Sequence, residues 1–288
     1  MLHPILGVSI ISSITSSGKV VKNIKGFVPK YNSQGQPKYY AGRNGFLFEV
    51  DIDGKQHALK CYTQPQKRGE AICTYIAQLA TDRLPTPTFY DQELLIPTLT
   101  GVESIDVCTY PWIEGNTLDF EIKRSVYNDN RESLLRLAEE FRLLALDILN
   151  SPWRHGDIKP ENIIVRPNGK LCLVDVDALW APSLPPCAEV GTPTFIHPFR
   201  GTNRDEHIDD YTIALVLANL HALVHNPAPE VIKKGLLFTA EEALGGHPLF
   251  LEAASAVAPN SALAALYEAL SNKDSYKIPN LIKLLCDV

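Results

Sequence analysis

The hydrophobic pattern of this chain changes period near residue 114, and that change limits the folds open to it. Upstream the pattern is that of strands. Phe46 to Ile52 and Gln56 to Tyr62 flank the tight-turn pair Asp53-Gly54 and read as an antiparallel hairpin. Two more short strands are expected around Phe89–Ile96 and Ser104–Tyr110. Between the pairs, Gln66 to Arg83 carries Ala71, Tyr75, Ile76 and Leu79 on one helical face, and Pro85-Thr86-Pro87 is its expected stop. Downstream the period becomes helical. Leu134, Leu137, Ala138, Phe141, Leu144, Ala145, Ile148 and Leu149 form one apolar stripe over Arg131–Asn150, and Asp210 to Leu223 is apolar nearly all round, as a buried helix is. The Ala/Leu-rich stretch from about Glu230 to Val288 predicts several short helices. The expected class is therefore α+β, with antiparallel strands and one helix first, and a mainly helical part second.

With 288 residues the chain can build a large core in one domain or two lobes. Its net charge of −6 provides no global basic field, so neither nucleic acid nor an anionic membrane is an expected partner. The apolar run Ile5–Ile14 has no Lys or Arg before it and falls short of the roughly 20 residues a membrane span needs. It is expected as an N-terminal strand. No other run is long and apolar enough to span a bilayer. Six scattered cysteines without a CxxC pair predict reduced thiols and a cytoplasmic chain rather than a zinc site or a disulfide scaffold.

The polar residues of chemical interest gather in His155-Gly156-Asp157-Ile158-Lys159-Pro160-Glu161-Asn162 and, after the turn Asn168-Gly169, in Leu173-Val174-Asp175-Val176-Asp177. An acid stands where a hydroxyl can be held. An amide five residues on and an acid thirteen beyond that offer hard oxygen donors of the kind magnesium prefers. The set resembles the catalytic loop and metal-binding segment of protein kinases. That resemblance implies a two-lobed kinase-like fold with an N-terminal lobe over residues 1–113 and a C-terminal lobe over residues 114–288. It implies ATP and Mg2+ as cofactors and a protein substrate. It also implies Asp157 and Lys159 as catalytic residues and Asn162 and Asp175 as metal ligands. Lys159 is the residue kinases specific for Ser or Thr place on the transferring phosphate.

Further matches extend the resemblance from about Gly42 to Leu217. His57-Ala58-Leu59-Lys60 resembles the strand whose lysine contacts the α- and β-phosphates, and Glu70, the only acid between Lys60 and Asp82, is the implied partner of that lysine. Gly42-Arg43-Asn44-Gly45-Phe46-Leu47-Phe48-Glu49-Val50 is a thin version of the glycine-rich phosphate loop. It implies nucleotide contacts from Gly42, Gly45 and Val50, with Ala58 beside them. Tyr110-Pro111-Trp112-Ile113 resembles the hinge, with Tyr110 as gatekeeper and the Pro111 carbonyl and Ile113 N–H available to adenine. Gly191-Thr192-Pro193-Thr194-Phe195-Ile196-His197-Pro198 resembles the peptide-binding ledge, where the threonine bonds the catalytic acid and lysine. Asp209 matches the aspartate that holds the catalytic-loop backbone.

Three departures qualify the match. Gly156 replaces the arginine that clamps a phosphate on the activation segment, so phosphorylation of that segment loses its main receptor. Phe199 replaces a glutamate whose arginine partner is also missing, because no arginine follows Arg204. Val176-Asp177 replaces Phe-Gly, and Asp177 is read as either an extra metal ligand or a turn residue. The sequence is accordingly identified by resemblance as a divergent, compact, eukaryotic-like Ser/Thr protein kinase lacking the usual phosphorylation switch. A pseudokinase scaffold and a small-molecule phosphotransferase of related fold are the alternatives.

Overall fold

The computed structural model describes residues 4–15, 21–42, 44–99, 101–226, 236–257 and 261–288. The chain is α+β and divides into two compact units: Met1–Thr81 with Pro85–Ile113, and Asp82–Leu84 with Glu114–Val288.

The first unit is built on one antiparallel sheet of β1 (Phe27–Pro29), β2 (Tyr39–Ala41), β3 (Gly45–Ile52), β4 (Lys55–Tyr62), β5 (Thr88–Thr98) and β6 (Gly101–Pro111). The strand order is β1-β3-β4-β6-β5, with β2 also pairing β3. The β3–β4 hairpin turns on Asp53 and Gly54, both at positive φ (50° and 76°), which suits the two-residue loop its sequence predicts. Alternation along the strands then sorts the side chains. Phe46, Phe48, Val50, Leu59, Cys61 and Val107 enter a core with Ile10 and Ile14 of helix α1 (Pro4–Thr15). On the other face, Phe89, Cys108, Lys60 and Leu47 are successive cross-strand neighbours in one row. Helix α2 (Gly69–Ala77) covers the Phe89 end of this row. A Cβ on Gly69 would come within 2.3 Å of the Phe89 ring, so glycine is what lets the helix start so close.

Two expectations are corrected here. The segment Ile5–Ile14 is helical, not a strand. Its β-branched residues favour extended backbone only weakly, and burial of Ile10 and Ile14, one turn apart, against the sheet outweighs that preference. The helix expected over Gln66–Arg83 is confined to Gly69–Ala77. Asp106 accepts the Gln66 N–H at 2.7 Å and fixes the approach, while residues 82–84 belong to the second unit, where the Arg83 carbonyl accepts the Leu173 N–H at 2.8 Å.

The second unit contains α3 (Leu118–Tyr127), α4 (Arg131–Leu149), α5 (Asp210–His225), α6 (Ala240–Gly245), α7 (Pro248–Ala256), α8 (Ala262–Leu270) and α9 (Leu281–Asp287). A small sheet pairs β7 (Asn116–Thr117), β8 (Ile163–Val165) and β9 (Leu171–Leu173) in that order. All eight stripe residues of α4 are buried, as the spacing predicts. Helix α5 is buried on all sides from Asp210 to Leu220, and its one amide there is satisfied: Asn219 accepts the N–H groups of Leu237 and Phe238 and donates to the carbonyls of Leu215 and Phe238. The C-terminal stretch forms the short helices its composition predicts, with residues 230–235 and 258–260 outside the described residues. Among the described residues, no helix is long and apolar enough to cross a membrane.

Candidate active site

In the second unit, α4 delivers the chain to the polar loop. Buried Arg154 fixes the end of that helix by donating to the carbonyls of Ile148, Ser151 and Leu149 (2.9, 2.8 and 3.3 Å) and to Glu206 O (2.6 Å). A cation at a helix C-terminus also opposes the helix dipole. The next residue, His155, is wholly buried. Its Nδ1 receives the Asp157 N–H at 3.3 Å, so Nε2 carries the proton and donates to Val174 O at 3.0 Å. One imidazole therefore spaces the loop from the strand end that precedes Asp175.

The Asp209 carboxylate receives the N–H groups of His155 (2.6 Å) and Gly156 (2.9 Å), the role its motif implied. On the next peptide, Arg200 Nη2 donates to Gly156 O at 2.8 Å. Arg200 is buried, which lowers its pKa from the ordinary value. The charge of Asp209 opposes that shift.

Asp157 stands at the centre of a side-chain cluster. Thr192 Oγ1 donates to its Oδ1 at 2.8 Å, and Lys159 Nζ donates to Thr192 Oγ1 at 3.1 Å while lying 3.3 Å from Asp157 Oδ2. Asn162 Nδ2 donates to both the carbonyl and Oδ2 of Asp157 (2.9 and 3.1 Å). Asp157 and Lys159 keep 16% and 22% of their side-chain surface exposed, so the cluster opens to solvent. The threonine contact with both residues is the one the ledge motif predicts.

Asn162 and Asp175 are brought near one another by the β8–β9 hairpin. Ile163 pairs with Leu173, and one step on the Val174 N–H donates to Asn162 O at 2.8 Å, leaving Asp175 as the next residue. Asp175 is exposed and takes a left-handed conformation (φ 62°, ψ 67°), uncommon for a residue with a side chain and found most often where function fixes the backbone. With its nitrogen committed to Asp157, the Asn162 amide has its oxygen to offer a cation. One amide and one carboxylate oxygen fit magnesium, which takes its remaining ligands from phosphate and water. Among the described residues no group of three or more His, Cys, Asp or Glu side chains is arranged to hold a metal. Asp177 lies half-buried in the 3-10 turn Val176–Ala178, and its carbonyl accepts from Cys187 Sγ at 3.8 Å.

In the first unit, the strand register tests the nucleotide-binding set. Ala58 and Lys60 alternate along β4 onto the face shared by Tyr110 and Cys108, their partners on β6. Lys60 is half-buried, with its ammonium 5.4 Å from the Tyr62 ring centre. Glu70 is exposed in the first turn of α2. Val50 does not join this set. It pairs with His57 and is buried on the α1 face, opposite to Lys60. Leu47, the register partner of Lys60, is the apolar residue on the lysine face. Leu47 and Val50 are three residues apart, and every odd step along a strand reverses the face. Gly42 lies in the β2–β3 connection, its N–H donating to Gly45 O at 2.8 Å, and Arg43 is outside the described residues. Gly45 has a structural reason to be glycine, because a Cβ there would meet Cys61 O at 2.0 Å. Pro111 ends β6, the Trp112 N–H donates to Gln56 O at 3.1 Å, and Ile113 is the last residue of the unit.

The segment after Thr192 is held by contacts from both α5 and the C-terminal stretch. His197 Nε2 bonds Asn272 O at 2.9 Å and its ring meets Tyr211 edge-on at 5.0 Å. Thr212 Oγ1 donates to Phe195 O at 3.1 Å, and the Ala240 N–H to Thr194 O at 2.9 Å. Neutral bonds thus hold this segment. Arg154 and Arg200 went unnoticed in the sequence, where only their position beside the motifs marks them.

No protein-family model matches this chain, and no curated protein matches it.

Proposed function

We propose that this chain is an ATP-dependent, magnesium-assisted protein kinase that phosphorylates Ser or Thr hydroxyls. The observation that carries the reading is the convergence of Thr192, Lys159 and Asn162 on the Asp157 carboxylate, within 3.3 Å in every case. Asp157 is oriented by three neighbours yet open to solvent, the condition a group needs to accept a hydrogen bond from an incoming hydroxyl and take its proton late in transfer. Lys159 supplies a positive charge beside that hydroxyl. Magnesium with ATP would neutralise charge on the phosphoryl group, and Asn162 and Asp175 are the residues that would hold it. Lys60 takes the phosphate-contacting role that its strand motif implies, and Glu70 is its proposed partner. The bond from Thr192 to Asp157 and Lys159 favours a protein over a small-molecule acceptor, since it belongs to the peptide-ledge motif. Such a kinase would work in the cytoplasm, where ATP is available and thiols stay reduced.

The test is transfer of γ-phosphate from Mg-ATP to the protein itself and to generic protein substrates. Asp157→Asn should lower transfer by at least about 100-fold, and Asp175→Ala should abolish the magnesium-dependent part. Equal transfer in the wild type and both variants would sink the reading. Transfer to sugars alone would remove its protein-substrate half.

A further inference from the structure

One thiol of α2 meets one thiol of the row beneath it. Cys73 Sγ, on α2, lies 3.8 Å from Cys108 Sγ, on β6. Cys73 is half-buried and Cys108 is 2% exposed, so an oxidant from solvent reaches the first and not the second. The other strand cysteines are poorly placed to compete. Burial pushes the Cys61 and Cys172 thiols up, away from the reactive thiolate. Bringing the two sulfurs to a bond of about 2 Å needs a movement of roughly another 2 Å, within reach of a side-chain rotation and a small shift of a two-turn helix.

We propose that Cys73 and Cys108 form a reversible disulfide site, oxidised by hydroperoxides. Cys73 is the attacked thiol and Cys108 the resolving one. The Cys73 thiolate takes the terminal oxygen of the hydroperoxide, whose O–O bond breaks and releases an alcohol, or water from hydrogen peroxide. The Cys108 sulfur then attacks the sulfenic sulfur, its S–O bond breaks, and water leaves with the remaining protons. In balance, two thiols and one hydroperoxide give one disulfide, one alcohol and one water, and two electrons pass from sulfur to oxygen. The position of the bond gives it a consequence. Cys108 is the direct strand partner of Lys60, and Glu70 lies one helical turn before Cys73. The disulfide would fasten α2 to the row that carries Lys60. This site does not depend on the phosphotransfer reading.

The experiment uses the full chain, reduced and freed of reductant, then treated with one equivalent of hydrogen peroxide. The expected product has lost two hydrogen atoms, gives a Cys73–Cys108 crosslinked peptide on non-reducing digestion, and reverts with dithiothreitol. Cys73→Ser and Cys108→Ser should each abolish that peptide while Cys286, which is exposed, still oxidises. Backbone hydrogen exchange of residues 69–77 should slow several-fold in the oxidised form. Overturning results are sulfinic acid on Cys73 without a crosslink, crosslinks that join only other cysteines, or exchange in α2 that oxidation leaves unchanged.

Discussion

Arg200 Nη2 donates to the carbonyl oxygen of Gly156 at 2.8 Å, and Gly156 sits at φ 82°, where a side chain is strained. A Cβ at residue 156 would also approach Ala178 O to 2.4 Å and Arg204 Nη1 to 2.9 Å. Glycine at residue 156 is therefore required by its surroundings, and the loop takes a fixed cation from the following segment. Gly156→Arg should destabilise the protein by more than about 1 kcal/mol from backbone strain alone. Urea denaturation measures it. A variant as stable as wild type would mean that the backbone at 156 is not constrained in this way.

Arg200→Met should remove about 1–3 kcal/mol, because it leaves Gly156 O buried without its donor. Under the proposed function, phosphatase treatment of the wild type should leave transfer unchanged, since the loop is held by Arg200. Loss of basal transfer after phosphatase would contradict that.

Thr192→Val keeps the shape of the side chain and removes its bonds to Asp157 and Lys159. Under the proposed function kcat should fall roughly 10- to 100-fold, because alignment of the acid is lost, and Thr192→Ser should retain most of it. Steady-state kinetics on one protein substrate makes the comparison.

Leu47 and Val50 separate the two faces of the first sheet. Val50→Ala should cost about 1–3 kcal/mol through the α1 core and leave nucleotide affinity unchanged. Leu47→Ala should weaken nucleotide binding more than it lowers the melting temperature. Paired calorimetric titration and thermal unfolding distinguish these outcomes, and the reverse pattern would restore Val50 to the nucleotide side.

Asp210 predicts a pH dependence. Burial pushes its pKa up from 3.8 to about 6, against the opposing hydrogen bond from His207 at 2.9 Å. A carboxyl whose folded pKa is raised binds its proton more tightly in the fold. Its stabilising contribution is complete below pH 3.8 and is lost as pH rises through about 6. Asp210→Asn should flatten the fall in stability over that window, which denaturation curves at several pH values will show. An unchanged slope would assign the fall to other groups.

The contact of Asn162 with Asp157 was legible because it is short in sequence, five residues apart. The α4 stripe was legible because burial follows a period of 3.6. The face taken by Val50 was not legible, because motif spacing does not report strand register. Ile5–Ile14 was misread because its side chains prefer strands, and only the sheet face above Ile10 and Ile14 decides otherwise. Arg200 was invisible because its partner is a backbone carbonyl forty-four residues away, a contact with no residue-type signature.

Residues 82–84 leave the first unit, join the second, and return before β5 begins. The boundary is thus crossed at three peptide bonds and not one. No single cut separates the two units, and neither can be exchanged between proteins as a continuous cassette. A fragment ending at Ile113 would keep Arg83 but strand its carbonyl without Leu173. A crossover anywhere between Arg83 and Leu173 would part the two ends of that bond, so this stretch is best inherited as one piece.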